Sequence, residues 1–273
     1  MIIDGRTLAG EVLARAKARA QMLPRAPRIL AIVANDTPAT KSYLAIKKKR
    51  AEDAGCVLEE LHFDAHAATT EELRSAVIAA EADAVIVQLP LGERTDARIV
   101  CDAIPLSKDA DVLSTVARMK FEADEHDALI PPVAGAVAEI LGARNIDPAG
   151  KRAVVIGSGW LVGKPCATWL SHKKADVTHL SFRSGNVAPL READIVVSGV
   201  GSPHFIKPEM LKPGAVLIDA GTSESGGTLA GDADSSCAPV CTLFTPVPGG
   251  VGPIAVAKLF ENAVALAERT MNT

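Results

Sequence analysis

The chain has 273 residues, which suits one or two domains of ordinary size and is short for three. Hydrophobic residues make up 48% and charged residues 23%, enough to bury a sizeable core and too apolar for a disordered chain. A net charge of −4, aromatics at 3% and Tyr43 as the single tyrosine argue against nucleic acid, an anionic membrane or a base-stacking surface as partners.

Leu8, Val12 and Leu13, with the Ala-rich turns to Leu23, have a helical period, and 28–34 is an apolar run of strand length. Pro38 opens a second predicted helix through Tyr43 and Lys47 to about Ala54, stopped by Gly55 before a strand at 57–63. Thr69 and Thr70 ahead of Glu71 and Glu72 predict an N-cap and a helix to about Ala82. The strand Ala84–Gln88, ended by Pro90, follows. Strands that are apolar throughout belong in a parallel sheet covered on both faces. From Gly92 to about Ile130 the pattern loosens, leaving a short helix at 96–103 and a polar stretch with Lys108, Asp109 and Asp111. A domain junction is expected near residue 125, and 134–141 reads as a linking helix.

A second alternating series starts with a strand at 151–156 and continues through strands at 176–180, 194–198 and 215–219. Residues 235–257 are uncharged and long enough to span a bilayer, but Pro239, Pro246, Pro248 and Pro253 would break that helix, so a turn-rich loop is predicted. A final helix runs from about Ile254 to Met271. The expected fold class is therefore α/β in two lobes. Five dispersed cysteines (Cys56, Cys101, Cys166, Cys237, Cys241) without C-x-x-C spacing read as buried hydrophobes in a reducing cytoplasm, with no metal site. The first residues lack the basic and apolar regions of a secretory signal, so a cytoplasmic location is expected.

Candidate chemistry sits at a few points. Gly157, Gly159 and Gly163 follow a strand and open a helix, where free N–H groups and the helix dipole suit a pyrophosphate, although the spacing G-x-G-x-x-x-G also suits a tight structural turn. The next strand ends in Ser181, Phe182, Arg183 and Ser184 with no acid for a ribose hydroxyl, which tilts the reading toward NADP; Arg183 as a solvated loop cation is the alternative. Tyr43 and Lys47 are four residues apart on one helix face, Lys47 within a run with Lys48, Lys49 and Arg50 that reads mostly as a solvated face. Gln88 interrupts an apolar strand at the end where open α/β sheets hold ligands. The string 245–253, TPVPGGVGP, is fit only for a defined loop.

These strings, with GSGWLVGKP, YLAIK, VQLPL, Lys108-Asp109-Ala110-Asp111, Asp219-Ala220-Gly221 and Gly231-Asp232 in the same order, resemble the bifunctional methylenetetrahydrofolate dehydrogenase/methenyltetrahydrofolate cyclohydrolase family over nearly the whole chain. The resemblance implies a catalytic lobe at 1–125 joined by the last helix, 254–273, and a Rossmann-type lobe at 126–253, with the active site in the cleft between them. It implies oxidation of 5,10-methylenetetrahydrofolate to 5,10-methenyltetrahydrofolate with NADP, or NAD, and hydrolysis to 10-formyltetrahydrofolate in a cytoplasmic homodimer. Lys47 is then the catalytic lysine, Gln88 its assistant, Asp111 the pterin ligand and Tyr43 a folate contact. Pro246, Gly249, Gly250 and Pro253 would also face the substrate. Gly157, Ser158, Gly159, Val162, Gly163, Arg183, Ser184 and Thr222 would hold the dinucleotide.

The chain departs from the family pattern at several points. K-D-V-D-G reads Lys108-Asp109-Ala110-Asp111-Val112, so the turn beside Asp111 is expected to change. P-C-T-P reads Pro131-Pro132-Val133-Ala134, and G-P-M-T reads Gly252-Pro253-Ile254-Ala255. G-R-S reads Gly157-Ser158-Gly159, losing an arginine for the 2′-phosphate, and H-S-x-T reads Ser181-Phe182-Arg183-Ser184, where Arg183 could compensate. Two rivals follow from these departures: an NAD(P) dehydrogenase of similar fold with a non-folate substrate, and a paralogue that binds ligand without catalysis.

Overall fold

The computed structural model of the chain describes residues 1–35, 37–225 and 228–271. The elements open with α1 (Gly5–Ala20), β1 (Arg28–Val33), α2 (Pro38–Asp53), β2 (Val57–His62), α3 (Thr70–Ile78), β3 (Ala84–Gln88), α4 (Ala97–Asp102) and α5 (Thr115–Glu122). They continue with α6 (Pro132–Gly142), β4 (Arg152–Ile156), α7 (Gly163–His172), β5 (Asp176–Leu180), β6 (Ile195–Ser198) and β7 (Val216–Asp219). The last are β8 (Ser223–Ser225), β9 (Thr228–Ala230), β10 (Leu243–Phe244) and α8 (Val251–Met271). The chain divides into two compact units: a first of Gly10–Pro132 with the residues from Val256 onward, and a second of Met1–Ala9 with Val133–Ala255. Residue 125 lies inside the first unit, in the turn after α5.

In the first unit, β1 pairs in parallel with β2 and β3, giving the order β2-β1-β3. All five residues of β3 are buried, the apolar run 84–87 together with the closing Gln88; each large apolar side chain so covered contributes roughly 1.5–3 kcal/mol. Helix α2 starts where Thr37 accepts the Thr40 N–H at 3.2 Å and Pro38 supplies a pre-set first turn. Helix α3 opens with a capping box between Thr69 and Glu72 and ends at Ile78, four residues before the expected stop. Helix α5, capped by Ser114, has no counterpart among the expected elements.

The second unit holds an all-parallel sheet of order β10-β7-β6-β4-β5. Numbered within the unit this is the doubly wound order 2-1-3-4-5, whose direction of winding reverses between β4 and β6. The register aligns Ile156 with Ser198 and Ser198 with Asp219, so three strands end on one row at the carboxyl edge. The hairpin β8-β9 is new relative to the sequence reading. The loop expected at 235–257 is interrupted by β10 and gives way to α8 at Val251, because Pro253 falls in the helix's first turn, where no intrahelical N–H bond is lost. The first residues also do more than the sequence suggested: Ile3 N–H donates to Phe244 O at 2.9 Å and Phe244 N–H to Met1 O at 2.9 Å, adding a bridge at the β10 edge.

All five cysteines are free and buried, and burial pushes the Cys56, Cys101, Cys166 and Cys237 thiols up to about 12. Among the described residues no helix is long and apolar enough to cross a membrane.

Candidate active site

Helix α2 with its C-cap Ala54 presents Thr40, Leu44, Lys47, Ala51 and Ala54 to the interior at spacings of four, three, four and three, while Lys48 and Lys49 stay exposed. Lys47 is therefore the lysine of its run that the helical period turns inward, at 7% exposure. Its Nζ donates to Gln88 Oε1 at 2.8 Å. The Gln88 Nε2 in turn donates to Leu89 O at 2.9 Å, which fixes the amide so that its oxygen faces the lysine. Burial lowers the Lys47 pKa, and the charge of Asp111 pulls it back up. Burial raises Asp111 against the pull of Lys47, and Asp109 raises it further. The pKa of the Tyr43 hydroxyl, on the same helix, is raised by desolvation and by Asp111, although the residue as a whole is 46% exposed. Lys47, Gln88, Asp111 and Tyr43 thus form one electrostatically linked group in the first unit.

The segment carrying Asp111 is built by its neighbours. Lys108 Nζ donates to Ala80 O at 2.6 Å, and the fully buried Asp109 accepts the N–H groups of Leu113 and Ser114 at 2.9 and 2.8 Å. Asn262 on α8 donates to Ala110 O and Ile130 O, both at 2.9 Å. Sequence reasoning missed Asn262; its signal is an amide in the middle of a buried apolar helix face. The turn beside Asp111 is made here without a glycine: Val112 adopts φ 56° and is 3% exposed. Holding a β-branched residue there costs on the order of 1–3 kcal/mol, which burial of the valine offsets.

The glycine turn lies in the second unit. Gly157 adopts φ 109°, and a Cβ at Gly163 would overlap the Gly157 carbonyl, so both positions require glycine. A Cβ at Gly159 would meet nothing within 4 Å, so this residue, like the exposed Ser158, faces open space. His179 Nε2 donates to Gly157 O at 2.7 Å, a contact the sequence did not suggest. The turn runs into α7, whose N-terminus offers the dipole end that a phosphate group needs, at the point where the winding of the sheet reverses. An open turn, a helix start and a switch-point crevice together fit a dinucleotide. Val162 is partly buried and Thr222 exposed; Arg183 is exposed in a short 3₁₀ turn after β5, and the Ser184 side chain lies outside the described residues. Phe182 packs edge-on against Phe205 with ring centroids 4.9 Å apart. Pro246, Gly249 and Gly250 sit in the loop between β10 and α8, where Gly249 O accepts the Gly5 N–H at 2.9 Å, and Pro253 lies in the first turn of α8. Among the described residues no cluster of His, Cys, Asp or Glu could hold a metal ion.

A doubly wound parallel sheet with a glycine turn at its switch point defines a Rossmann-type dinucleotide-binding unit, here in one chain with an α/β unit that buries a lysine beside an amide and a carboxylate. The family described as tetrahydrofolate dehydrogenase/cyclohydrolase matches with its catalytic domain over residues 3–111 and with its NAD(P)-binding domain over 131–271. The chain belongs to this family. It is 38% identical to the "Bifunctional protein FolD" of Lacticaseibacillus casei (strain BL23), over 99% of this chain and 98% of that protein. Among solved structures it is similar to the methylenetetrahydrofolate dehydrogenase-cyclohydrolase of Trypanosoma brucei, a complex with NADP and an inhibitor. The TM-score is 0.93 at 31% identity, covering 100% of this chain and 99% of that one. The bifunctional FolD enzyme of Campylobacter jejuni gives a TM-score of 0.94 at 28% identity, covering 99% of each chain.

Proposed function

We propose that this protein oxidises 5,10-methylenetetrahydrofolate to 5,10-methenyltetrahydrofolate with NADP and hydrolyses the product to 10-formyltetrahydrofolate. The observation that carries the reading is the buried Lys47, aimed by Gln88 and shifted by burial toward its neutral form against the opposing pull of Asp111. When bound, the dinucleotide supplies the hydride acceptor for the methylene carbon. The turn at Gly157–Gly163 and the α7 N-terminus would hold its pyrophosphate, and Arg183 is the cation offered to a 2′-phosphate. In the hydrolytic half, the free amine of Lys47 accepts a proton from the water that adds to the methenyl carbon. The resulting ammonium returns that proton to the ring nitrogen as its bond to carbon breaks. Gln88 keeps the amine directed through both transfers, because its oxygen accepts from either protonation state. Asp111 is assigned to the pterin ring, and the half-exposed ring of Tyr43 to packing against folate.

A steady-state assay with methylenetetrahydrofolate, supplying NADP and NAD separately and following methenyl formation and decay, tests the reading. Turnover with NADP followed by decay to the formyl product is expected; absence of both steps, with another substrate oxidised, rejects a folate substrate. The proposal includes a cytoplasmic homodimer, on the strength of the family resemblance, checked by sedimentation.

A further inference from the structure

The second unit contains a cluster that the proposed reaction does not use. Asp219 closes β7 and Asp232 follows β9, at 1% and 0% exposure. The partners of the Asp232 carboxylate are the Ser198 hydroxyl and the Val200 N–H, each donating at 2.7 Å, and the Ser202 N–H at 2.8 Å. Asp219 accepts the N–H groups of Ala233 at 2.7 Å and Gly221 at 2.9 Å. A Cβ at Gly221 would overlap the Asp232 carboxyl group, so the glycine makes room for it.

Burying a carboxylate is costly unless donors satisfy it, and here two of the three donors belong to one short loop, 199–202. That loop leaves the carboxyl end of β6 beside β4, at the edge where the winding reverses. A Cβ at Gly157 would come 2.6 Å from Gly199 O, and one at Gly199 would overlap the Val162 side chain. The loop that Asp232 grips therefore leans directly on the glycine turn. Gly201, between the two donating residues, adopts φ 73°, a left-handed conformation that suits glycine, and the N–H groups on either side of it both point at Asp232.

We propose that Asp232 is a positioning residue for the dinucleotide: its carboxylate fixes loop 199–202 along the switch-point crevice and so sets coenzyme affinity without touching the coenzyme. This rests on the dehydrogenase reading above. Asp232 has no part in the Lys47 chemistry of the other unit, and the two activities therefore separate a positioning role from a merely structural one.

In the full-length Asp232→Asn variant, an amide NH₂ replaces one acceptor oxygen and opposes the donors it faces. The KM for NADP is expected to rise about tenfold or more, with the dehydrogenase kcat changed less than about threefold and cyclohydrolase kept within about twofold. Quenching of tryptophan fluorescence, with Trp160 placed in the glycine turn, should report the same loss of NADP affinity directly. Ser198→Ala removes one donor and leaves the carboxylate its two N–H partners; a rise of about twofold to fivefold in KM is expected, and it decides the matter if the first variant does not fold. An unchanged KM for NADP in the folded variant, or a parallel loss of both activities, overturns the proposal. A wild-type chain that binds no NADP overturns the dehydrogenase reading itself, a different result from a working enzyme indifferent to Asp232.

Discussion

Lys47 in the first unit and Asp232 in the second are both buried ionisable groups, yet their partners differ in kind. Lys47 meets a side-chain amide and feels the Asp111 carboxylate; Asp232 and its neighbour Asp219 meet mostly peptide N–H groups. Desolvation favours the neutral form in each unit, lowering Lys47 and pushing Asp219 up to about 7. A neutral amine held by one acceptor keeps a lone pair for proton transfer, whereas a carboxyl group saturated by the backbone fixes loops. The buried lysine to which the hydrolytic role is proposed is thus held by side chains, and the buried carboxyl groups of the second unit mostly by main chain.

Removing the amine proposed to carry the hydrolysis should have the largest effect. Lys47→Met fills the same space without an amine, and cyclohydrolase should fall by about 10²- to 10⁴-fold while NADP binding in the other unit is kept. An undiminished hydrolysis rate would remove Lys47 from the mechanism and erase the contrast with Asp232. Next in size is Gly163→Ala, whose methyl group meets the Gly157 carbonyl. Since the clash is with backbone, the turn must shift, and a loss of about 2–4 kcal/mol in stability is expected together with weakened NADP binding, read by thermal melting and fluorescence titration.

Gln88→Leu leaves the Lys47 amine buried without its acceptor, a loss on the order of 1–3 kcal/mol, and should slow hydrolysis about tenfold. A rate unchanged by this substitution would mean that the lysine is aimed by something other than the amide. For Asp219 the sign of the pH effect follows from its raised pKa. The folded state binds the proton more tightly than the unfolded one, whose value is near 3.8, so this group makes stability fall as pH rises from about 4 to about 7. Asp219→Asn should lose that slope and pay a pH-independent loss from the donors its NH₂ group opposes; chemical denaturation across the range measures both.

How much of this was legible in the sequence follows the same division. Strand β3 matches its expected limits because an unbroken apolar run is ended by a proline, and α2 because Thr37 and Pro38 mark its start. Helix α5 escaped notice: Val116 and Met119 face solvent, and the buried side is carried by Ala117 and Phe121, too short a stripe to stand out in the sequence. Gln88 announced itself as a polar residue closing an apolar strand. Lys47 did not stand out from its run by charge; the stripe from Thr40 to Ala54 distinguishes it, and that stripe is visible only once the small alanines are counted as interior. The brace around Asp232 depends on partners 30 to 34 residues away, and the edge bridge of Ile2 with Phe244 spans most of the chain, so no local pattern carries either.

The smallest effect expected is at the coenzyme's ribose. In the short turn directly after β5, Phe182–Ser184, the cation is the exposed Arg183, and the turn carries no acidic residue to bind a free 2′-hydroxyl. An exposed cation facing a phosphate is screened by water and salt, so its contribution is closer to that of a surface pair than a buried one. Arg183→Ala should therefore raise the KM for NADP by about threefold to tenfold and leave that for NAD nearly unchanged. The gap between the two coenzymes should also narrow in wild type as salt is added, since only one of them carries the extra charge. An equal rise for both coenzymes would place Arg183 at the shared pyrophosphate or adenosine instead, and would leave the preference to be set by the shape of the Phe182–Phe205 wall beside it.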